Sequence, residues 1–210
     1  MQLVGILQIK SYDKVKEFLH REHVGRISTI DEFGYPQIIP MNFVFLKDTI
    51  YMHSHPKGEK IQNFKRNDKV GFEVDRELEF LPSYFEDPKN ASLADTLYIS
   101  IVIKGTATLV TNREEKTLAL NGLMEKYQPE GGYDPITSDM RVLDGVAVIK
   151  IIPKTLHGKY KIGQHLSPLD RLDLAQKIMK KNSSTAKETL KIMGFEITEK
   201  GLKMVEEPSW

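Results

Sequence analysis

"GRISTIDEFGYPQIIPMNFVFLKDTIYMHSHPKGEKIQNFKRNDKVGFEVD", residues 25–75, carries the architecture of this chain in its punctuation. Strand-like apolar runs are broken at "DEFG" and at "KD", both of which read as hairpin turns. Three antiparallel strands are therefore expected at about 24–30, 36–46 and 49–54. Pro40 falls inside the second, where its missing N–H removes a ladder bond, so an edge or a bulge is expected there. Residues 58–67 then read as a short helix with Ile61 and Phe64 inward. "KVGFEVD" restores a two-residue alternation of Val70, Phe72 and Val74, giving a fourth strand.

Outward from this stretch, "SYDKVKEFLH" places Val15, Phe18 and Leu19 at helical spacing and predicts an opening helix over 11–20. Residues 77–96 mix aromatics, prolines and acids and read as a long excursion, a lid or a partner-binding loop. "LYISIVIKGTATLV" sets Leu97, Ile99, Ile101 and Ile103 on one face and Tyr98, Ser100 and Val102 on the other, as a long central strand does. Leu120, Leu123, Met124 and Tyr127 form the apolar stripe of a helix over 113–127 that serves as core packing. A sixth strand follows at 145–153. "HGKYKIGQ" reads as a polar, glycine-punctuated segment, and helices are expected at 168–180 and 184–193, the last followed by a mobile tail that ends in Trp210. The sum is a mainly β, α+β chain: six antiparallel strands in a small barrel with flanking helices. Residues 1–180 form its principal domain and 181–210 a C-terminal helix and tail.

Composition narrows the chemistry. Thirty basic and twenty-nine acidic side chains in 210 residues leave a net charge of +1, so nucleic acid is not an expected partner, although "KIMKKN" at 177–182 is locally basic. Cysteine is absent, which excludes disulfides, thiolate nucleophiles and Cys-based metal sites. The histidines are scattered without carboxylates at ligand spacing, and no metal is expected. With neither a signal-peptide pattern nor a long apolar run, a cytoplasmic protein that does not cross a membrane is expected.

The polar cluster "HSHPKGEK", residues 53–60, lies between a strand and a helix. His53 and Ser54 end the strand, Pro56 and Gly58 bend the chain, and Lys60 opens the helix, where free N–H groups and the dipole favour an anion. This composition suits a phosphate pocket, although by itself it more often marks a solvated loop and helix start.

Residues 25–75 resemble the flavin-binding split β-barrel superfamily of pyridoxamine 5′-phosphate oxidase, and within it the nitroimidazole-resistance, or flavin-nucleotide-binding, branch. The resemblance rests on "GRIST", "YPQIIP", "HS" closing the third strand, Gly58-Glu59-Lys60 and "NDKVGFEV". It extends through "YISIVIKGTATLV", "EEKTLALNGLMEKY" and "HGKYKIGQHLS" to about residue 180. It implies FMN in a groove between the subunits of a homodimer, with FAD or haem as alternatives. Ile39, Pro40, Met41 and Asn42 would lie along the isoalloxazine. His53 and Ser54 would stand by the ribityl chain and phosphate, Gly58 and Lys60 would hold the phosphate, and Ser100 would approach the flavin from the other side. Gly58-Glu59-Lys60 stands where the oxidase has Ser-Arg-Lys, and no C-terminal Trp/Arg substrate motif is recognisable, so vitamin B6 oxidation is not implied. The function expected is an FMN-dependent oxidoreductase, of flavin reductase or nitroreductase type, that exchanges electrons with a small-molecule donor and acceptor. The alternative is a non-catalytic flavin- or haem-binding sensor. No catalytic side chain is assigned, because a flavin carries the redox chemistry itself.

Overall fold

The computed structural model describes residues 5–208, which divide into two compact units. Trp210 lies outside the described residues.

The larger unit comprises residues 12–74 and 101–157. It opens with helix α1 (Tyr12–Arg21), which buries Val15, Phe18 and Leu19 as the spacing requires. Strands β1 (Val24–Ile30), β2 (Pro36–Asn42), β3 (Val44–Leu46) and β4 (Thr49–Ser54) follow, then helix α2 (Glu59–Arg66). Three long strands supply the rest of the sheet: β5 (Lys69–Leu81), β6 (Asp95–Leu109) and β7 (Ala147–Lys161). Helix α3 (Arg113–Tyr127) and the one-turn α4 (Val142–Gly145) lie between β6 and β7. The order across the sheet is β2-β1-β5-β6-β7-β4-β3, and β1 with β2, β1 with β5, β3 with β4 and β4 with β7 pair antiparallel.

The strand count is seven, not the expected six, because the run 36–46 divides at Phe43. Phe43 is fully buried, and the Tyr127 hydroxyl takes the place of a strand for its backbone. That hydroxyl accepts from the Phe43 N–H at 2.9 Å and lies 3.1 Å from its carbonyl oxygen. β2 and β3 thus stand at opposite ends of the strand order although only Phe43 separates them in sequence, and the sheet is open rather than the closed barrel expected.

The turns follow their sequence chemistry. Asp31 accepts from the N–H groups of Phe33 and Tyr35, both at 2.8 Å, in the β1–β2 loop. Lys47 and Asp48 both take positive φ, 48° and 59°, in the two-residue turn between β3 and β4, the I′ geometry that matches strand twist. Gly25 is dictated by packing: a Cβ there would lie 2.1 Å from Cζ of Phe72. Leu120 and Leu123 of α3 join Val44, Tyr51, Val110 and Val148 in one core cluster, so that stripe is core.

The smaller unit comprises residues 5–11, 75–100 and 158–208. The 77–96 excursion is shorter than its composition suggests, since β5 runs to Leu81 and β6 starts at Asp95. Glu79, read as a loop residue, is buried in the strand and takes hydrogen bonds from Lys181 at 2.6 Å, from Thr185 at 3.0 Å and from Ser183. Between the strands lie two short 3₁₀ turns, Ser83–Phe85 and Ala91–Leu93. Likewise β7 continues through "HGKYK": the Ile9 N–H bonds the Gly158 carbonyl at 3.0 Å, and a Cβ at Gly158 would meet Ile9 at 2.7 Å.

Helix α5 (Pro168–Lys181) is capped by Ser167, whose hydroxyl accepts from the Asp170 N–H, and stops at Asn182 in the left-handed region. Helix α6 (Ala186–Ile192) leads not to a loose tail but to a hairpin of β8 (Phe195–Thr198) and β9 (Gly201–Met204). Among the described residues no helix is long and apolar enough to cross a membrane.

Candidate functional site

In the larger unit β2 is the sheet edge, which is where Pro40 does least harm to the ladder. It pairs along β1 with Ile39 opposite Ile27, Pro40 opposite Arg26, Met41 opposite Gly25 and Asn42 opposite Val24. No side chain of β2 is buried: Ile39 and Met41 are half-buried, and Pro36, Ile38, Pro40 and Asn42 are exposed. An edge strand that leaves Ile38 63 % exposed, beside Val24 at 45 % and Tyr35 at 70 %, presents an apolar surface with free backbone groups. Arg26, on the same face as Pro40, pairs with Glu73 at 3.1 Å.

The end of β4 and the start of α2 form the second part. His53 is exposed and Ser54 half-buried, opposite Val148 and Ala147 of β7. Beyond them His55 folds its ring back on the turn, Nδ1 accepting from the Lys57 N–H at 3.1 Å. Gly58 is the N-cap of α2 in extended backbone, with no side-chain cap, and its carbonyl accepts from the N–H groups of Ile61 and Gln62. A Cβ on Gly58 would meet only one atom within 4 Å, the ammonium Nζ of Lys60 at 4.0 Å. Lys60 therefore folds back over the N-terminal turn of its own helix, and among the described residues no carboxylate pairs with it. An ammonium held at the positive end of a helix dipole is poorly placed by itself and well placed for a shared anion.

These parts are fixed to each other by residues whose spacing gives no sign of the role. Asn63 of α2 is fully buried and donates to Thr29 of β1 at 3.1 Å and to Gln37 of β2 at 3.3 Å, while Arg66 donates to its Oδ1 at 2.6 Å. A buried amide satisfied from several sides holds α2 in one position against the β1–β2 edge. β2 also packs against β4. The structure thus brings Ile39, Pro40, Met41, Asn42, His53, Ser54, Gly58 and Lys60 onto neighbouring elements of one unit. Ser100 stands half-buried on β6 in the smaller unit, on the strand face away from Leu97 and Ile99.

A second basic residue lies near the junction of β2 and β3. Lys126 donates to the Leu19 carbonyl at 3.0 Å and sits 3.8 Å from the centre of the Phe43 ring. Burial pushes its ammonium down to about 8, against a smaller upward pull from Glu22.

Comparison with solved structures finds the same fold. The chain is 22 % identical to a candidate 5-nitroimidazole antibiotic resistance protein from Bacteroides thetaiotaomicron, over 73 % of this chain and 86 % of that one, with a TM-score of 0.62. The flavocytochrome Anf3 from Azotobacter vinelandii is 15 % identical over 82 % of this chain and 77 % of its own, with a TM-score of 0.65. The FAD and heme binding protein from Mycobacterium smegmatis is 14 % identical over 80 % and 79 %, with a TM-score of 0.63. No curated protein matches. The sequence profile described as pyridoxamine 5′-phosphate oxidase matches residues 11–160, a span that takes in the β2 edge, the β4 end and the α2 N-terminus, and the chain belongs to that family.

Proposed function

We propose that this chain is a flavoprotein that holds FMN at the β2 edge and the α2 N-terminus and acts as an oxidoreductase, with a second copy of the chain closing the flavin groove. The observation that carries the reading is the uncapped start of α2, with the Lys60 ammonium, unpaired among the described residues, folded over it. Two positive features converge on one point, and a phosphate dianion satisfies both. Gly58 suits this role because a side chain there would take the space beside Nζ that an anion needs.

Within this reading Lys60 and the first N–H groups of α2 bind the phosphate, and His53 and Ser54 line the ribityl chain. The backbone of Ile39, Pro40, Met41 and Asn42 addresses the ring system. The flavin, when bound, supplies the exchange of hydride or electrons between a reduced small-molecule donor and an acceptor. The apolar outer face of β1 and β2 is the surface a second copy would cover, with Ser100 of the partner subunit approaching the flavin from the other side of the groove. The flavin and haem named for two structural neighbours agree in kind with this proposal.

The test is the visible spectrum of the purified protein, with the released ligand identified by mass, for the native chain and Lys60→Ala. Flavin bands, released FMN and a Kd weakened roughly ten- to hundredfold in the variant are expected from losing one charge-assisted contact. A colourless protein that takes up no FMN, or a Soret band alone, would overturn the proposal. A monomeric mass with flavin bound would overturn its dimeric part.

A further inference from the structure

The segment between β5 and β6 lines a cavity in the smaller unit that the flavin reading does not use. The cavity is about 340 Å³, at the lower end of the range for small-molecule sites. Its floor is the buried Leu97, and its walls are Leu81, Pro82, Phe85, Leu93 and Leu174.

The rim is acidic and unequally neutralised. Asp95 is committed to Lys161, which bonds both its oxygens. Glu86 and Asp173 share a single ammonium, that of Lys177, at 2.9 and 2.8 Å. Asp170 accepts the Ser167 hydroxyl at 2.7 Å, and among the described residues no cation pairs with it. Four carboxylates thus face two ammonium groups and the imidazole of His165, which lines the same cavity beside Asp95. Even with the roughly half positive charge of the α5 N-terminus, the rim stays negative.

We propose that this cavity binds a small organic cation, a single hydrophobic ring bearing an ammonium or amidinium group. The ring rests on Leu97 between Phe85 and Leu93, and the cationic head meets the unneutralised Asp170 side of the rim. The size admits one ring with a short side chain, and the rim disfavours carboxylates and phosphates. The proposal is independent of flavin binding and is tested on the intact protein, whatever cofactor it holds.

Benzylammonium, benzyl alcohol and benzoate share a ring and differ in charge, and are titrated by calorimetry and by ligand-observed NMR. Saturable binding of benzylammonium is expected, with benzoate weaker by about tenfold or more. Asp170→Asn keeps an acceptor for Ser167 and the α5 cap, so its melting temperature should stay near that of the native chain. It should weaken benzylammonium roughly two- to fivefold and leave benzyl alcohol unchanged, as loss of one exposed charge predicts. Leu93→Trp, at a half-exposed wall position, should fill the cavity and remove binding of both. Equal affinity for the three probes, full binding in Leu93→Trp, or no saturation at about 10 mM probe would each overturn the proposal.

Discussion

Replacing Tyr127 by Phe removes one oxygen atom and tests how the sheet edges are joined. The ring would keep its place beside His23, at a centroid distance of 5.1 Å. The Phe43 N–H, fully buried at the point where β2 becomes β3, would lose its acceptor at 2.9 Å. The hydroxyl's single proton, which serves the carbonyl of His23 or of Phe43, would be lost as well. Carbonyls have a second lone pair and His23 is exposed, so the stranded N–H dominates. A buried unsatisfied donor costs about 1–3 kcal/mol. Near the middle of that range, a chain of this size should lose about 4–8 °C in melting temperature. Urea and thermal unfolding of the two proteins, followed by circular dichroism at neutral pH, give the comparison. A loss of less than about 0.5 kcal/mol, the scatter of ordinary surface changes, would refute the view that Tyr127 stands in for a strand at this junction.

Gly25→Ala should destabilise by about 1–3 kcal/mol, because the new methyl would lie 2.1 Å from the Phe72 ring. Phe72→Leu in the same chain should recover part of that loss, a non-additivity that unfolding curves of the double mutant would reveal. The Lys126 ammonium, pushed down to about 8 in the folded chain from 10.5, is protonated more readily once unfolded. Stability relative to Lys126→Met should therefore rise as pH climbs from about 8 towards the ordinary lysine range. The gain should be about 1–2 kcal/mol once partial solvent exposure is allowed for, and parallel unfolding curves with no such divergence would count against the burial. Glu79 is pushed up by burial but held below the usual carboxylate range by Lys181, Ser183 and Thr185. Its contribution is present above the unfolded pKa and should fade as pH falls through the folded one. Glu79→Gln should flatten the acid limb of the stability profile and cost about 1–3 kcal/mol at neutral pH.

Local chemistry was enough to read β1, β4, the two hairpin turns and the helix over 113–127 from the sequence, because alternation, helical spacing and turn residues act within a few positions. The candidate site was legible for a related reason: "IIPMN" and "HSHPKGEK" are contiguous, and a proline in a strand or a lysine at a helix start has a meaning that neighbours suffice to give. Glu79, Lys159 and Lys161 looked like loop residues because charge in a strand is stable only when distant partners satisfy it, and those partners, such as Lys181 and Asp95, lie far along the chain. The C-terminal hairpin was missed because four-residue strands carry too little alternation to stand out.

The sequence by itself determined the strand periods, the edge or bulge that Pro40 requires and the anion-friendly composition of the α2 start, all of which depend on backbone rules that act over a few residues. Tertiary structure alone decided that a tyrosine 84 positions away splits one strand into two, that Asn63 ties α2 to the β1–β2 edge, and that Lys60 folds back to Gly58 with no carboxylate among the described residues to meet it. Those are long-range pairings of polar groups, and their energy depends on which donor and acceptor the folded chain brings within about 3 Å of each other.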